Sequence, residues 1–195
     1  MRKATIEKKT NETEIKLKIN LDGSGQYEIN TGIPFFDHML TQVAVHGLFD
    51  LEIKVEGDLA VDQHHSIEDA ALALGQAFQE ALGDKAGIER VGQALVPMDE
   101  ALCQVVVDLS GRPYLVFDAQ WDDPRVADIP ITLVEHFFYS FSMSSKSTLH
   151  ARVLYGRDNH HKVEGLFKAF GRALKMAAGF DPRRQGQIPS SKGVL

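Results

Sequence analysis

The sequence has very little cysteine and no long apolar run. Cys103 is the only cysteine among 195 residues, so no disulfide can form within the chain. It lies in an alternating run, ALCQVVV at 101–107, which predicts a buried strand thiol in a reducing compartment. No stretch approaches the roughly 18 apolar residues of a membrane-spanning helix, and the N-terminus MRKATIEKKT lacks the apolar segment of a secretion signal. We therefore expect a cytoplasmic protein without a membrane partner.

An excess of basic residues is also absent. Lys and Arg total 21 against 27 Asp and Glu, which gives a formal net charge of −6. Proteins that bind nucleic acid through its phosphates normally carry a basic surface stripe, so we expect no nucleic-acid partner. No Pro/Ser-rich linker or low-complexity tract divides the chain. The unusual feature is the histidine content, because several of the eight histidines stand in adjacent pairs.

The chain contains an internal repeat. The first half has, in order, Ile33-Pro34, Asp37-His38, a strand-like run LFDLEIKVEG and the motif Asp-x-His-His-x-x-Glu at 62–68. The second half has the same series as Ile129-Pro130, Glu135-His136, STLHARVLYG and the same motif at 158–164. Each series follows a strand pair with an acidic start, NETEI or MDEAL. We interpret this order as a duplicated module and predict one domain with repeats at about 1–93 and 94–181 and a C-terminal tail at 182–195.

Hydrophobic periodicity predicts similar elements in both halves. Period-two alternation predicts strands at 13–21, 49–56, 102–108 and 148–155. A long helix is predicted from His64 to a cap at Gly83, and its counterpart ends at Gly179. Two shorter helices are predicted to begin at Pro34 and Pro130, because proline is favoured in the first helical turn. Four helices with several strands in each half predict the α+β class.

Histidine and glutamate four residues apart lie on one helix face, because each residue advances a helix by about 100°. His64 can therefore bind one cation together with Glu68, and His160 can do so with Glu164. The neighbouring His65 and His161 point about 100° away and should serve another centre or a hydrogen bond. If the halves pack with two-fold symmetry, the two predicted metal centres are His64, Glu68, His136 and His161, and His160, Glu164, His38 and His65. Each has three imidazoles and one carboxylate, with positions left open for substrate or water.

Acidic residues near these histidines are expected to orient the imidazole rings as hydrogen-bond acceptors. The candidates are Asp62 and Asp158, at predicted helix N-caps, and Asp37 and Glu135, beside the other two predicted ligands.

Other histidines and aromatic residues have a structural interpretation. One copy of His-His-x-x-Glu would itself more often be structural, whereas two copies, each preceded by an acid–histidine pair, favour metal binding. His150 lies in a predicted strand without a matching partner, and we interpret it as structural. We interpret the aromatic run as core packing; its members are Phe137, Phe138, Tyr139 and Phe141.

Four segments together resemble a known family. The runs GIPFFDHMLTQVAVHG, DQHHSIEDAALALGQA, HHKVEGLFKAFGRALK and PSSKGVL resemble the imidazoleglycerol-phosphate dehydratases of histidine biosynthesis, and the likeness extends over essentially the whole chain. It implies a monofunctional form with a helical bundle packed between two mixed β-sheets, the ribosomal protein S5 domain 2-like fold. It also implies two Mn²⁺ ions per active site, with active sites between the subunits of a 24-subunit homo-oligomer.

The resemblance assigns roles to individual residues. The implied metal ligands are His38, His64, His65, Glu68, His136, His160, His161 and Glu164. The implied substrate-binding residues are Glu12, His46, Arg90, Arg112, Ser190 and Lys192. The implied reaction removes water from D-erythro-imidazole glycerol phosphate to give imidazole acetol phosphate. Glu12 is the leading candidate for the general acid/base, because it is a carboxylate outside the metal set, and a metal-bound water is the alternative that could share this role.

Two other classes of protein fit the same ligand residues. A dinuclear hydrolase would use a metal-bound hydroxide, and analysis of the products distinguishes hydrolysis from loss of water. A metal-binding or shell-forming protein without enzymatic activity would need neither Glu12 nor the phosphate-directed cations, and measurement of turnover separates it from both enzymes.

Overall fold

The structure is a computed structural model that describes residues 2–184 and 186–194. The four helices of the described residues are α1 (Pro34–Gly47), α2 (His64–Leu82), α3 (Thr132–Ser145) and α4 (Asn159–Ala178). The strands of the first half are β1 (Lys3–Lys9), β2 (Thr13–Asn20), β3 (Tyr27–Asn30) and β4 (Asp50–Gly57). Those of the second half are β5 (Val91–Met98), β6 (Ala101–Asp108), β7 (Tyr114–Asp118), β8 (Arg125–Val126), β9 (Ile129–Pro130) and β10 (Thr148–Tyr155).

The two halves form sheets of the same topology. The first sheet has the order β1-β2-β4-β3, and the second has the order β5-β6-β10-β7. In each sheet the last pair is parallel, β3 with β4 and β7 with β10, and the other pairs are antiparallel. Strands β8 and β9 form a separate antiparallel ribbon that has no counterpart among the described elements of the first half. The order of motifs along the chain thus corresponds to a repeated order of strands in space.

The helices lie between the two sheets. Helix α2 packs on β1, β2 and β4, and α4 packs on β5, β6 and β10. Across the middle, the short helix of each half packs on the long helix of the other, α1 on α4 and α3 on α2. Alternation of side chains directs one face of each sheet into the core, as in β6, where every second residue is buried. This arrangement confirms the α+β class and the helical bundle between two mixed sheets.

Most predicted elements are confirmed, with one displaced helix start. Strands β2, β4, β6 and β10 lie within one residue of the predicted ranges, and α2 begins at His64 as expected. The prediction that a helix begins at Pro130 is wrong, because Pro130 pairs with Arg125 in the β8–β9 ribbon and α3 starts at Thr132. Proline is tolerated in such a short edge ribbon, where its missing N–H removes no ladder bond from a central strand.

Two side-chain predictions have different outcomes. Cys103 is fully buried as expected, and burial raises the pKa of its thiol to about 12. Of the aromatic run, Phe137, Phe138 and Phe141 are fully buried, as expected for core packing. Tyr139 is not in the core: it is 50% exposed, and its ring stacks on that of His136 at a centroid distance of 6.2 Å. Successive helical residues face different directions, so a run of aromatic residues cannot all enter one core.

The crossed helix packing generates a stability prediction. A Cβ on Gly75 of α2 would lie 2.7 Å from the carbonyl oxygen of Phe141 on α3 and would also collide with Ser144 Oγ. Gly75→Ala is expected to lower the free energy of unfolding by about 1–3 kcal/mol, because overpacking outweighs the higher helix propensity of alanine. Urea unfolding at one fixed protein concentration measures the change. Gln76→Ala, at the next and exposed position, is the control; equal stability of both variants would contradict close packing at Gly75.

Candidate functional site

The first candidate metal centre joins α2 to α3. His64 and Glu68 lie in the first two turns of α2, and His136 of α3 faces them. Glu68 Oε2 is 3.5 Å from His64 Nε2 and 3.4 Å from His136 Nε2, and the two imidazole centroids are 4.6 Å apart. One ligand atom from each of the three residues lies within 4.8 Å of the others. His136 Nε2 is buried and forms no hydrogen bond within the described residues, so a polar ring atom faces this carboxylate without an assigned partner.

The second candidate centre joins α4 to α1. Glu164 Oε2 lies 3.0 Å from His160 Nε2 and 3.2 Å from His38 Nε2, and these three residues form the other compact group. The Glu164 side chain is only 8% exposed, and its second oxygen is 2.8 Å from Lys168 Nζ. Burial acts to raise the pKa of Glu164, but hydrogen bonds from Lys168 and His38 outweigh it and leave that pKa below its usual value. Glu164 is therefore held as a carboxylate between two imidazoles.

The remaining two histidines of the predicted ligand set stand beside these groups. His65 follows His64 with its ring centroid 6.2 Å away, and His161 follows His160 at the same distance. Within the described residues, neither belongs to a compact group of ligand atoms. The structure thus brings together six of the eight predicted ligands, three of the four expected at each centre. The expected fourth ligands, His161 and His65, lie outside the compact groups of the described residues.

Carboxylates absent from the sequence predictions hold His65 and His161. Asp58 Oδ2 lies 3.0 Å from His65 Nδ1, and Glu100 Oε2 lies 2.7 Å from His161 Nδ1. These hydrogen bonds raise the pKa of both imidazoles. Glu100 also accepts the backbone N–H groups of Asp158 and Arg157, and together the bonds hold its pKa far below the usual value. The acidic residues of the MDEAL run could have indicated Glu100 as a partner of His161. Asp58 has no acidic counterpart in the second half, so the repeat could not have indicated it.

The four acids expected to orient imidazoles have other partners or positions. Asp37 Oδ1 instead accepts hydrogen bonds from the backbone and hydroxyl of Thr31. Asp158 is a helix N-cap as predicted, but its carboxylate accepts backbone N–H groups and no imidazole. Asp62 is not the N-cap, which is Gln63, although Asp62 accepts the His64 N–H at 2.7 Å. Glu135 is exposed on α3.

Four residues predicted to bind substrate line one surface pocket of about 250 Å³. They are Arg90, Arg112, Ser190 and Lys192, and the pocket also includes Ser191 and Val194, which the sequence reasoning did not identify. Arg90 is held by two hydrogen bonds to Asp108, of 2.7 and 3.0 Å, and by a third to the Pro189 carbonyl at 2.9 Å. Arg112 is 69% exposed at its side chain. The pocket therefore presents three cationic side chains, the donor type that suits a phosphate ester.

The last two predicted residues lie outside that pocket. His46, in the last turn of α1, lines a different surface pocket with Arg172 and Lys175. Burial, together with Lys168 and Arg172, lowers the pKa of His46. Glu12 lies between β1 and β2, is 55% exposed at its side chain, and has its Oε1 3.9 Å from His65 Nε2. His150 is exposed on β10 and belongs to neither candidate centre.

The fold and these groups define a duplicated α+β protein with two candidate metal centres of mixed imidazole and carboxylate ligands. The sequence profile of the imidazoleglycerol-phosphate dehydratase family matches residues 31–174. The chain belongs to the imidazoleglycerol-phosphate dehydratase family, whose members are hydro-lyases of histidine biosynthesis. In the described residues, no helix is both long and apolar enough to cross a membrane.

Relatives and solved structures give the same family. The chain is 54% identical to imidazoleglycerol-phosphate dehydratase from Zymomonas mobilis, over 98% of each chain. It is 56% identical to the enzyme from Roseiflexus sp., over 100% of this chain and 98% of the relative. The crystal structure of the Staphylococcus aureus enzyme is similar with a TM-score of 0.83 at 36% identity, covering 92% of this chain and 99% of that one. The chain is therefore an enzyme, and its family does not support the hydrolase or non-enzymatic alternatives.

The contacts of Arg90 generate a prediction for the C-terminal segment. Asp108→Ala removes the carboxylate that holds Arg90 against the Pro189 carbonyl. Tryptic cleavage after Lys192 is expected to accelerate about tenfold, because a charge-assisted hydrogen bond is worth about 1.5–3 kcal/mol. Mass spectrometry of timed digests measures the rate. Asp118→Ala, which removes an exposed ion pair with Arg152, is the control, and unchanged cleavage in Asp108→Ala would contradict the anchoring role.

Proposed function

We propose that the chain catalyses the metal-dependent dehydration of D-erythro-imidazole glycerol phosphate to imidazole acetol phosphate and water. The observation that carries this proposal is the pair of equivalent three-residue groups, each with one glutamate between two imidazoles. Family membership supports the dehydratase activity, and the two groups support its dependence on metal.

The residues of each group fit a divalent metal. Two imidazoles and one carboxylate are ligands that transition metals accept, and they leave positions for further ligands. The buried His136 Nε2, without a hydrogen bond in the described residues, is an atom for which a metal ion would supply the missing partner. We propose Mn²⁺ at both centres, two ions per active site. When bound, the two ions would supply Lewis acidity toward the imidazole ring of the substrate.

The remaining proposed site residues bind the substrate and move its protons. The pocket of Arg90, Arg112, Ser190 and Lys192 is proposed to bind the phosphate, with His46 as a further substrate contact. Glu12 is proposed as the general acid/base, because it is an exposed carboxylate close to His65 and outside both ligand groups. It would take the proton from the carbon chain or protonate the departing hydroxyl.

We also propose that active sites form between subunits of a 24-subunit homo-oligomer, which the family resemblance suggests. His65 and His161 support this arrangement. In each of them Nδ1 contacts a carboxylate of the same chain, so Nε2 is left to bind a metal ion outside the two compact groups. With them, the proposed ligand set is His38, His64, His65, Glu68, His136, His160, His161 and Glu164.

We propose one domain of two repeats, about 1–93 and 94–181, with a substrate-binding tail at 182–195. Pro189 and Ser190 beside Arg90 support the role of that tail. The proposed location is the cytoplasm, which is consistent with the single buried thiol of Cys103.

Removal of metal tests the proposed reaction. Dialysis of the purified enzyme against a chelator is expected to abolish dehydration, and added Mn²⁺ should restore it, because the two centres then lack their Lewis acids. Chromatography of the products measures loss of water. Full activity in rigorously metal-free enzyme would overturn metal dependence, and release of free phosphate or a cleaved product would indicate a hydrolase instead.

Two carboxylate variants separate the metal ligands from the acid/base. Glu12→Gln is expected to retain its metal and to lose about 10²- to 10⁴-fold in kcat, because it removes only proton transfer. Glu68→Gln is expected to lose bound metal, since it removes the oxygen that lies between His64 and His136. Elemental analysis of the isolated variants and steady-state kinetics give the two readings. An unchanged kcat in Glu12→Gln, or full metal content in Glu68→Gln, would contradict the respective assignment.

A further inference from the structure

The duplication places two carboxylates at equivalent positions, and they have different surroundings. Glu12 precedes Thr13, the first residue of β2, and Glu100 precedes Ala101, the first residue of β6. Glu100 is fully engaged: it accepts two backbone N–H groups at 2.8 and 2.9 Å and contacts the Nδ1 of His161 at 2.7 Å. In the first half Asp58, and not Glu12, contacts the Nδ1 of His65, and the Glu12 side chain is 55% exposed.

Asp58 is the residue that takes over this contact. It lies directly after β4, where the second half has no carboxylate: Gly57 ends β4 and is followed by Asp58, whereas the corresponding Gly156 is followed by Arg157. Asp58 holds His65, and its backbone N–H also donates to the Glu12 carbonyl at 3.0 Å. The carboxylate of Glu12 is thereby free for chemistry, while its backbone is held.

A second set of hydrogen bonds holds the turn that carries Glu12. The Thr10 hydroxyl accepts the N–H of Glu12 at 3.1 Å and the N–H of Thr13 at 3.0 Å. The Thr13 hydroxyl donates to Asp69 Oδ2 at 2.5 Å. Thr13 is only 3% exposed, so the turn is attached to α2 through a buried contact.

Asp69 is a buried carboxylate on α2, immediately after Glu68. It is 8% exposed and is balanced by Lys8, whose Nζ lies 2.8 Å from Oδ1. A buried carboxylate is retained only when it is paired and hydrogen-bonded, because desolvation of an unpaired charge is strongly unfavourable. Both oxygens of Asp69 are used in this way, one by a cation and one by Thr13.

The second half lacks the whole arrangement. The repeat aligns Asp69 with Gly165 and Thr13 with Ala101. A Cβ at Gly165 would lie 2.9 Å from Cys103 Sγ, so a thiol fills the space there. The duplicated fold therefore forms without this network at its second copy. Its presence only in the half with the free carboxylate points to a purpose other than general stability.

We propose that Asp69, acting through Thr13, is a positioning residue that fixes Glu12 relative to the α2 ligands His64 and Glu68. This inference rests on the proposed function, in which Glu12 transfers a proton. The network gives the turn a rigid connection to the same helix that carries two ligands of the first centre. A displacement of about 1 Å of a reacting group can reduce a rate about 10²-fold, so such a connection has a measurable effect on turnover.

Variants of Thr13 test the proposal. Thr13→Ala introduces the residue that the second half already has at the equivalent position, and it removes the hydroxyl. We expect kcat to fall about 10- to 100-fold, with KM within about twofold of the original enzyme and bound Mn²⁺ per chain unchanged. Thr13→Ser retains the hydroxyl and should restore kcat to within about threefold. Thr5→Val, an exposed position on the neighbouring β1, is the control for replacement of a threonine near the sheet edge.

The outcomes are distinguishable. An unchanged kcat in Thr13→Ala, a failure of Thr13→Ser to restore turnover, or a loss of bound Mn²⁺ would each overturn the positioning role. If Thr13→Ala does not fold, Thr13→Val, which keeps the side-chain volume without the hydroxyl, is measured against the same expectations. An original enzyme without dehydratase activity would overturn the proposed function itself. An active original enzyme with an inactive Glu12→Gln and an active Thr13→Ala would overturn only the role of Asp69 and Thr13.

Discussion

Neither half of the chain forms a candidate centre by itself, because the short helix of one half packs on the long helix of the other. Packing of α3 on α2 brings His136 to Glu68, and packing of α1 on α4 brings His38 to Glu164. These crossings are close. Glycine occurs at the equivalent positions 75 and 171, and a Cβ at Gly171 would lie 2.9 Å from the carbonyl oxygen of Val43. The geometry of both centres therefore depends on backbone contact between the halves.

Carboxylates have different partners at the candidate centres and in the cationic pocket. At the centres, a glutamate lies between two imidazoles, and Glu164 has Lys168 as a further partner for its second oxygen. In the pocket lined by Arg90 and Arg112, Asp108 holds Arg90 while Arg112 remains exposed. The carboxylate at Asp108 fixes one cation without neutralising the whole pocket.

Two departures from the two-fold repeat lie near Glu12, in addition to the β8–β9 ribbon. The two sheets have the same strand order, and the two ligand groups have the same composition. Around Glu12 and Glu100, however, the partners differ, because Asp58 and Asp69 have no carboxylate counterparts in the second half. In the proposed reaction Glu12 is the acid/base, and Asp58 rather than Glu12 contacts the Nδ1 of His65. Duplication provided two equivalent centres, and local substitutions made their surroundings different.

Periodicity and repetition were enough to predict the strands β2, β4, β6 and β10, the start of α2 and the grouping of His64 with Glu68, since these depend on residues close in the chain. Two-fold symmetry also predicted that His136 joins the first pair and His38 the second. It placed His161 and His65 there as well, and neither belongs to a compact group in the described residues. The sequence by itself did not predict the β8–β9 ribbon, or the partners Asp58 and Glu100, which lie 7 and 61 residues from the histidines they hold. Such contacts depend on how loops of unequal length pack over the sheets, and only the tertiary structure decides how they pack. The sequence cannot show this, because aspartate and glutamate are most often solvated surface charges.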